Sequence, residues 1–473
     1  MPHLDQRTGV RKSFVLMAAL LAAFGSARGA TAAWSPPATL GQSNLNFTYA
    51  NNVSVAVSSH PKAQSVAVWV EPSTMVIKYA IQRNGIWTAA KTLYTADANA
   101  AEEVTDPQVV VDRDGLATAV WGSTKKGPVT YCVSGGRVVR CVQLISFAKV
   151  AKLEPGRTTW SKANLSSQAW TVTDAQVAID QGGNAVATWV QRASAASVPT
   201  LQAATRMAGR VWTAPVSVYA SAAMSLPRLS VGPTGAAVAV WSERLAGTTP
   251  SYAVRASSLS LGSTWGAPET VATQATPIAY LRSTVDGNAQ AAVVWDHDYG
   301  VEWARRGGGW TTPEALSSAP GRVYAGTGPY AAYGPDIVSD GLGNVLITWL
   351  ENDMLANGTS VEAELVLSAA AASHTSWPAS TSVPPSVAMS SDGSLGMVAW
   401  LDEGDANTYA VSLTPSAGWS QAVVMSSGAA QYSAVWGTGV SLAAGENQRA
   451  AAAWLSVAGL YGQVSILGSS YQP

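Results

Sequence analysis

Hydrophobic positions along this chain fall into short Ala- and Val-rich runs that share one ending. Ala-Thr-Ala-Val-Trp121 and Ala-Val-Ala-Val-Trp241 stop on tryptophan, as do the runs at Trp69, Trp189, Trp295, Trp349, Trp400 and Trp454. Apolar runs of this length, bounded by Gly, Pro and Asp, predict strands. Successive members of the series lie 52, 68, 52, 54, 54, 51 and 54 residues apart, which marks an internal repeat.

Polar punctuation follows the same period. Asp stands nine residues ahead of the Trp at Asp112, Asp180, Asp286 and Asp340, and Gly six ahead at Gly115, Gly183, Gly235 and Gly343. Such clusters between apolar runs predict hairpin turns, with Gly supplying a positive φ. A Pro-x-Val-like phrase (Pro107, Pro227, Pro335, Pro385) opens the first strand of several units. A second tryptophan series, Trp87, Trp160, Trp212, Trp265, Trp310, Trp377 and Trp419, marks an outer strand. Proline three residues on, at Pro215, Pro268 and Pro313, suits an edge, where a missing N–H costs no ladder bond.

Four short strands per repeat predict an all-β fold, an eight-bladed β-propeller of four-stranded antiparallel blades. Seven blades remain the alternative if one unit is displaced. The last unit lacks a second Trp, whereas Trp34-Ser-Pro-Pro-Ala-Thr-Leu reads as an outer strand without a blade. The N-terminal strand is therefore expected to complete the C-terminal blade and close one domain over residues 33–473.

On these repeats the chain resembles the broad class of secreted bacterial β-propellers. It is superficially similar to the sialidase group, but their Asp box has a shorter Asp-to-Trp spacing, and no Phe-Arg pair occurs here. It is similar in blade number to quinoprotein dehydrogenases, without their Thr-Gly-Lys-x-x-Trp phrase or vicinal cysteines. The resemblance implies a fold and no cofactor.

Arg7, Arg11 and Lys12 precede an apolar run from Phe14 to Phe24 and an Ala30-Thr31-Ala32 cleavage-like site, so residues 1–32 read as a signal peptide. That run is shorter than the roughly 20 residues of a membrane span. Removing residues 1–32 takes four basic residues and one acidic residue from totals of 28 and 29, leaving 24 against 28. This balance argues against nucleic acid or another polyanion as partner. The long 68-residue interval holds the only two cysteines, Cys132 and Cys141, in an insertion over about residues 125–153. A hairpin with Gly136-Arg137 at its tip would set them opposite each other for a disulfide after export.

Candidate chemistry is sparse. Two positions beyond each strand-ending Trp stand Glu71, Ser123, Gln191, Glu243, His297, Glu351, Asp402 and Ser456, a partly acidic set expected at one mouth of the propeller. The Asp296-His297-Asp298 phrase with Glu302 reads as a solvated turn in preference to a metal site. The long loop before Pro335 carries Arg322, Tyr324, Tyr330 and Tyr333 and is the favoured binding loop. Trp170, Trp303 and Trp436 stand outside the repeat as candidate aromatic platforms. The four histidines form no catalytic motif. The expectation is an exported, monomeric, non-catalytic binding or adhesion module for a glycan or a protein, without cofactor or metal. The alternative is a glycoside hydrolase or lyase using acids at the channel mouth.

Overall fold

The computed structural model describes residues 33–43, 53–58, 64–71, 74–134, 136–297, 300–317, 334–353, 358–368, 371–381, 383–405, 407–426, 439–457 and 464–472. The signal-peptide reading, Arg322, Tyr324, Tyr330, Tyr333 and Trp436 lie outside these residues. Among the described residues the fold is strand apart from one short 3-10 turn, and no helix is long and apolar enough to cross a membrane.

The strands form eight antiparallel sheets. Their inner strands, Val53–Val57, Glu103–Val111, Thr171–Ile179, Met224–Val231, Leu281–Val285, Asp336–Ser339, Ser386–Met389 and Ser441–Gly445, define blades 1 to 8. Each inner strand packs against that of the next blade, and blade 8 against blade 1, so the sheets make a closed eight-bladed propeller. Closure is by the N-terminal segment, as the orphan strand predicted. Ala33–Trp34 and Ala38–Ser43 both pair with the third strand of blade 8, in register Ala33↔Gln472 and Ala38↔Gly468. Ser35 N–H donates to the Ser470 carbonyl at 2.7 Å, and the Trp34 and Tyr471 rings stand 5.6 Å apart.

The strand-ending tryptophans are the glue between blades. All eight are no more than 2% exposed. Trp121 of blade 2 packs with Ile77 and Tyr79 from the third strand of blade 1, and Trp189 of blade 3 with Ala148 and Val150 of blade 2. Trp303, expected as an exposed platform, is instead 8% exposed and packs beside Trp349 of blade 6. It sits two residues past Val301, on the strand side turned to the next blade.

The Asp-and-Gly turns are latches at the other end of each blade. Asp180 Oδ1 accepts the Asn184 N–H at 2.8 Å, closing its own hairpin. Its second oxygen lies against the turn glycine of blade 4: a Cβ on Gly235 would stand 2.9 Å from Asp180 Oδ2. The same relation links Asp112 with Gly183, Asp286 with Gly343 and Asp340 with Gly393.

Two local expectations are corrected. The second tryptophans mostly precede the main outer strand: Pro215, Pro268 and Pro313 stand immediately before strands Val216–Ala220, Glu269–Gln274 and Glu314–Ala315. The hydroxyl after the Trp replaces a ladder carbonyl there, as where Thr205 N–H donates to Thr213 Oγ1 at 3.0 Å. In the insertion, Ala117–Ser134 and Arg137–Leu153 run beyond the blade as a ribbon with Ser134 paired to Arg137. The tip therefore lies between Ser134 and Arg137, with Gly136 at φ +76°, and Cys132 pairs with Val139 while Cys141 pairs with Thr130. The cysteines are diagonal neighbours because the two-residue turn takes its positive φ at Gly136 and leaves Arg137 to begin the strand.

Candidate functional site

Every second strand runs antiparallel to its inner strand, so the repeat fixes one inner position in every blade: the residue facing the one just before the Trp. These positions are Ser54, Gln108, Gln176, Arg228, Arg282, Asp336, Ser386 and Ser441. All eight are polar, and the residue preceding each one is buried. In blades 2, 3 and 4 a β-bulge lies immediately ahead of this position, which re-aims the strand at the channel end. Two recesses open there, of about 480 and 200 Å³, and between them they are lined by all eight residues, Arg282 and Ser441 facing both.

The short members of this ring stitch neighbouring blades together. Ser441 Oγ accepts the Val55 N–H at 3.1 Å, and Ser54 Oγ accepts the Val109 N–H at 3.2 Å. Gln176 Oε1 accepts the Leu229 N–H at 2.9 Å, and Asp336 Oδ2 the Val387 N–H at 3.1 Å. In each case a ring acceptor takes the N–H one residue beyond the ring position of the next blade. Such bonds leave few backbone groups unsatisfied on inner strands that have no further ladder partner.

Arg228 and Arg282 interrupt this belt, because a guanidinium has no acceptor. The two adopt the same local arrangement: Arg228 Nη1 donates to the Pro227 carbonyl at 2.8 Å and Arg282 Nη1 to the Leu281 carbonyl at 3.0 Å. Arg282 Nε also stands 3.9 Å from Asp336 Oδ1. Burial pushes the Asp336 carboxyl above its ordinary range, and the Arg282 charge partly opposes this. Asp174, in the left-handed region at φ +52°, lines the larger recess beside the arginines.

The seven residues two beyond the Trp whose side chains are described line neither recess. Glu243, 8% exposed, accepts from Tyr219 of blade 3 at 2.6 Å and from Arg255 of its own blade at 3.1 Å. Burial raises its pKa, but hydrogen bonds from Tyr219, Ser221 and Arg255 outweigh this and hold it below the usual value. The Tyr219 ring meanwhile stacks on Trp241 at 4.8 Å. Asp402 accepts from Ser380 N–H and Gly404 N–H, both at 2.9 Å, so it pins the connection from blade 6 to blade 7. Gln191 accepts from the Trp189 indole at 2.9 Å, Glu351 lies 3.5 Å from the Trp349 indole, and Glu71 bonds Thr74 at 2.9 Å.

In blade 5, His297 stands 3.4 Å from Glu302, and a hydrogen bond from His297 is the main reason Glu302 lies low. Asp296 projects the other way, accepting from Ala279 N–H at 3.1 Å and Tyr280 N–H at 2.6 Å. Burial lifts its pKa to about 6. The ring itself escapes a reading based on tryptophan, yet it is the middle residue of the Pro-x-Val phrase at Gln108, Arg228, Asp336 and Ser386.

No protein-family model matches the sequence, and no curated protein sequence matches it. Solved structures do resemble the fold. A polysaccharide lyase of family PL25, an ulvan lyase, is 12% identical over 78% of this chain and 93% of its own, with a TM-score of 0.46. An α-L-arabinanase of Penicillium chrysogenum is 10% identical over 71% and 98%, with a TM-score of 0.40. A fucose-specific lectin from Aleuria aurantia is 13% identical over 71% and 96%, with a TM-score of 0.38. At this degree of likeness neither activity nor ligand carries over.

Proposed function

We propose that this propeller is a non-catalytic binding module that recognises a glycan or a protein through the face at the ring end of its channel. One contrast supports the reading. Donors and acceptors from all eight blades collect at that end, whereas Glu243 and Asp402 beside the tryptophans hold neighbouring blades together, and Glu71 and Glu351 are engaged by Thr74 and the Trp349 indole. The carboxyls that do line the ring end are Asp174 and Asp336, and Asp336 is engaged by the Val387 N–H and by Arg282. The loop with Arg322, Tyr324, Tyr330 and Tyr333 leads in sequence into Asp336, and Trp436 precedes Ser441, so these side chains enter the proposal as partners of the ring.

A glycan-array screen with parallel product analysis tests the reading. Saturable binding without turnover is expected, lost in Trp436→Ala or Tyr330→Ala and kept in Glu243→Gln and Glu351→Gln. New reducing or unsaturated ends that disappear in the two Gln variants would establish a hydrolase or lyase instead. We further propose export with cleavage after residue 32 and a Cys132–Cys141 disulfide. The intact mass of protein recovered outside the cytoplasm reads both. It should match residues 33–473 less two hydrogens, and a mass retaining residues 1–32 or two thiols would contradict them.

A further inference from the structure

The ring has one irregularity that its bonding role does not explain. Six positions carry short or amide side chains of the kind that accept an N–H from the next blade, while blades 4 and 5, which are neighbours, carry arginine. Placing like charges at equivalent positions of packed strands is unfavourable. Neither side chain can serve the belt, yet both are turned alike by their bonds to Pro227 and Leu281 and both line the larger recess. Carboxylates lie to either side: Asp174 comes from blade 3, and Asp336 from blade 6. The sequence of charges around the mouth is thus acid, Arg228, Arg282, acid, with two cations adjacent at its centre.

We infer that Arg228 and Arg282 together form an oxyanion site that takes the carboxylate of a sugar acid. The inference rests on the binding reading above and names the ligand class. A planar guanidinium carries its N–H donors in a fork that matches a carboxylate. Ser54, Gln108 and Ser441 around the same recess supply groups suited to hydroxyls, and Pro107 supplies an apolar wall. The recess lies inside a ring of strands, so it accepts a terminal or branching residue instead of tracking along a polymer. That geometry is compatible with a protein of nearly balanced charge: attraction here is local.

Titration calorimetry on the purified protein at low ionic strength tests this with three probes: trigalacturonate, its neutral methyl ester and a sulfated disaccharide. Arg228→Gln and Arg282→Gln are the informative variants, because glutamine already occupies the equivalent positions 108 and 176. Each should keep or raise the thermal midpoint. Trigalacturonate should bind saturably, about tenfold more weakly to either variant, with the ester weakened alike. Binding should also fall as salt rises. A sulfated probe with the same dependence on both arginines supports the oxyanion site and adds sulfate to its sources. Equal binding of acid and ester, or variants indistinguishable from wild type, overturns the inference while leaving the glycan reading intact. Failure of all three probes overturns it too, and the array then decides separately whether the binding reading survives.

Discussion

Asp296 illustrates how a residue chosen for its chemistry serves the scaffold. Two backbone N–H groups from the connection into blade 5 converge on one of its oxygens, and burial raises the carboxyl to about 6 from 3.8. A raised acid binds its proton more tightly in the folded state. Its contribution to stability is therefore complete below pH 3.8 and is lost as pH climbs through 6, a change on the order of 3 kcal/mol. Asn keeps the accepting oxygen and cannot ionise. Asp296→Asn is expected to be at least as stable as wild type at pH 7 and to lack this loss between pH 4 and 6. Chemical denaturation across that range would refute the assignment if both proteins showed the same slope. His297, next in the chain, turns to Glu302, so alternation alone separates what looked like a cluster.

Among elements, the turn latches couple hairpin formation to ring assembly. Gly235 has φ +86° and its missing Cβ makes room for Asp180 of the previous blade. Gly209 has a similar φ of +70° with nothing within 4 Å. Both alanine substitutions incur the left-handed strain of about 1 kcal/mol, but only Gly235→Ala also disturbs a neighbouring blade, for a total of roughly 2–3 kcal/mol. Urea midpoints of the two variants measure the difference, and equal shifts would mean that the latch carries no energy.

The tryptophan runs and the Asp-to-Gly turns were legible in the sequence because each repeats at fixed offsets in many blades. The tip of the cysteine hairpin was misplaced by one residue because Gly135-Gly136 and Gly136-Arg137 are both acceptable turns from composition alone. The outer strand was misplaced because Trp and Pro mark its approach, not its ladder.

For the whole molecule, closure by residues 33–43 follows from counting strands against tryptophans, and the count had one solution once Trp34 was matched to the last blade. The polar ring at the channel mouth was harder to read. Its ring residues vary in type from blade to blade, so no motif announces them. What they share is a register, and register becomes visible only when each inner strand is paired with its neighbour. The acids beside the tryptophans drew notice because they are charged; their position between blades turns several of them into structural bonds.

The ring end as the recognition face can be tested without knowing the ligand. Ser386→Cys places a thiol at that mouth, and Arg113→Cys places one at the recess on the opposite end of the channel. Each variant is coupled to a bulky maleimide and its binding to the array or to native extract is compared with wild type. The account predicts that the plug at residue 386 abolishes binding while the plug at residue 113 leaves it unchanged. Binding that survives the first and is lost with the second would place recognition at the turn end and contradict the account.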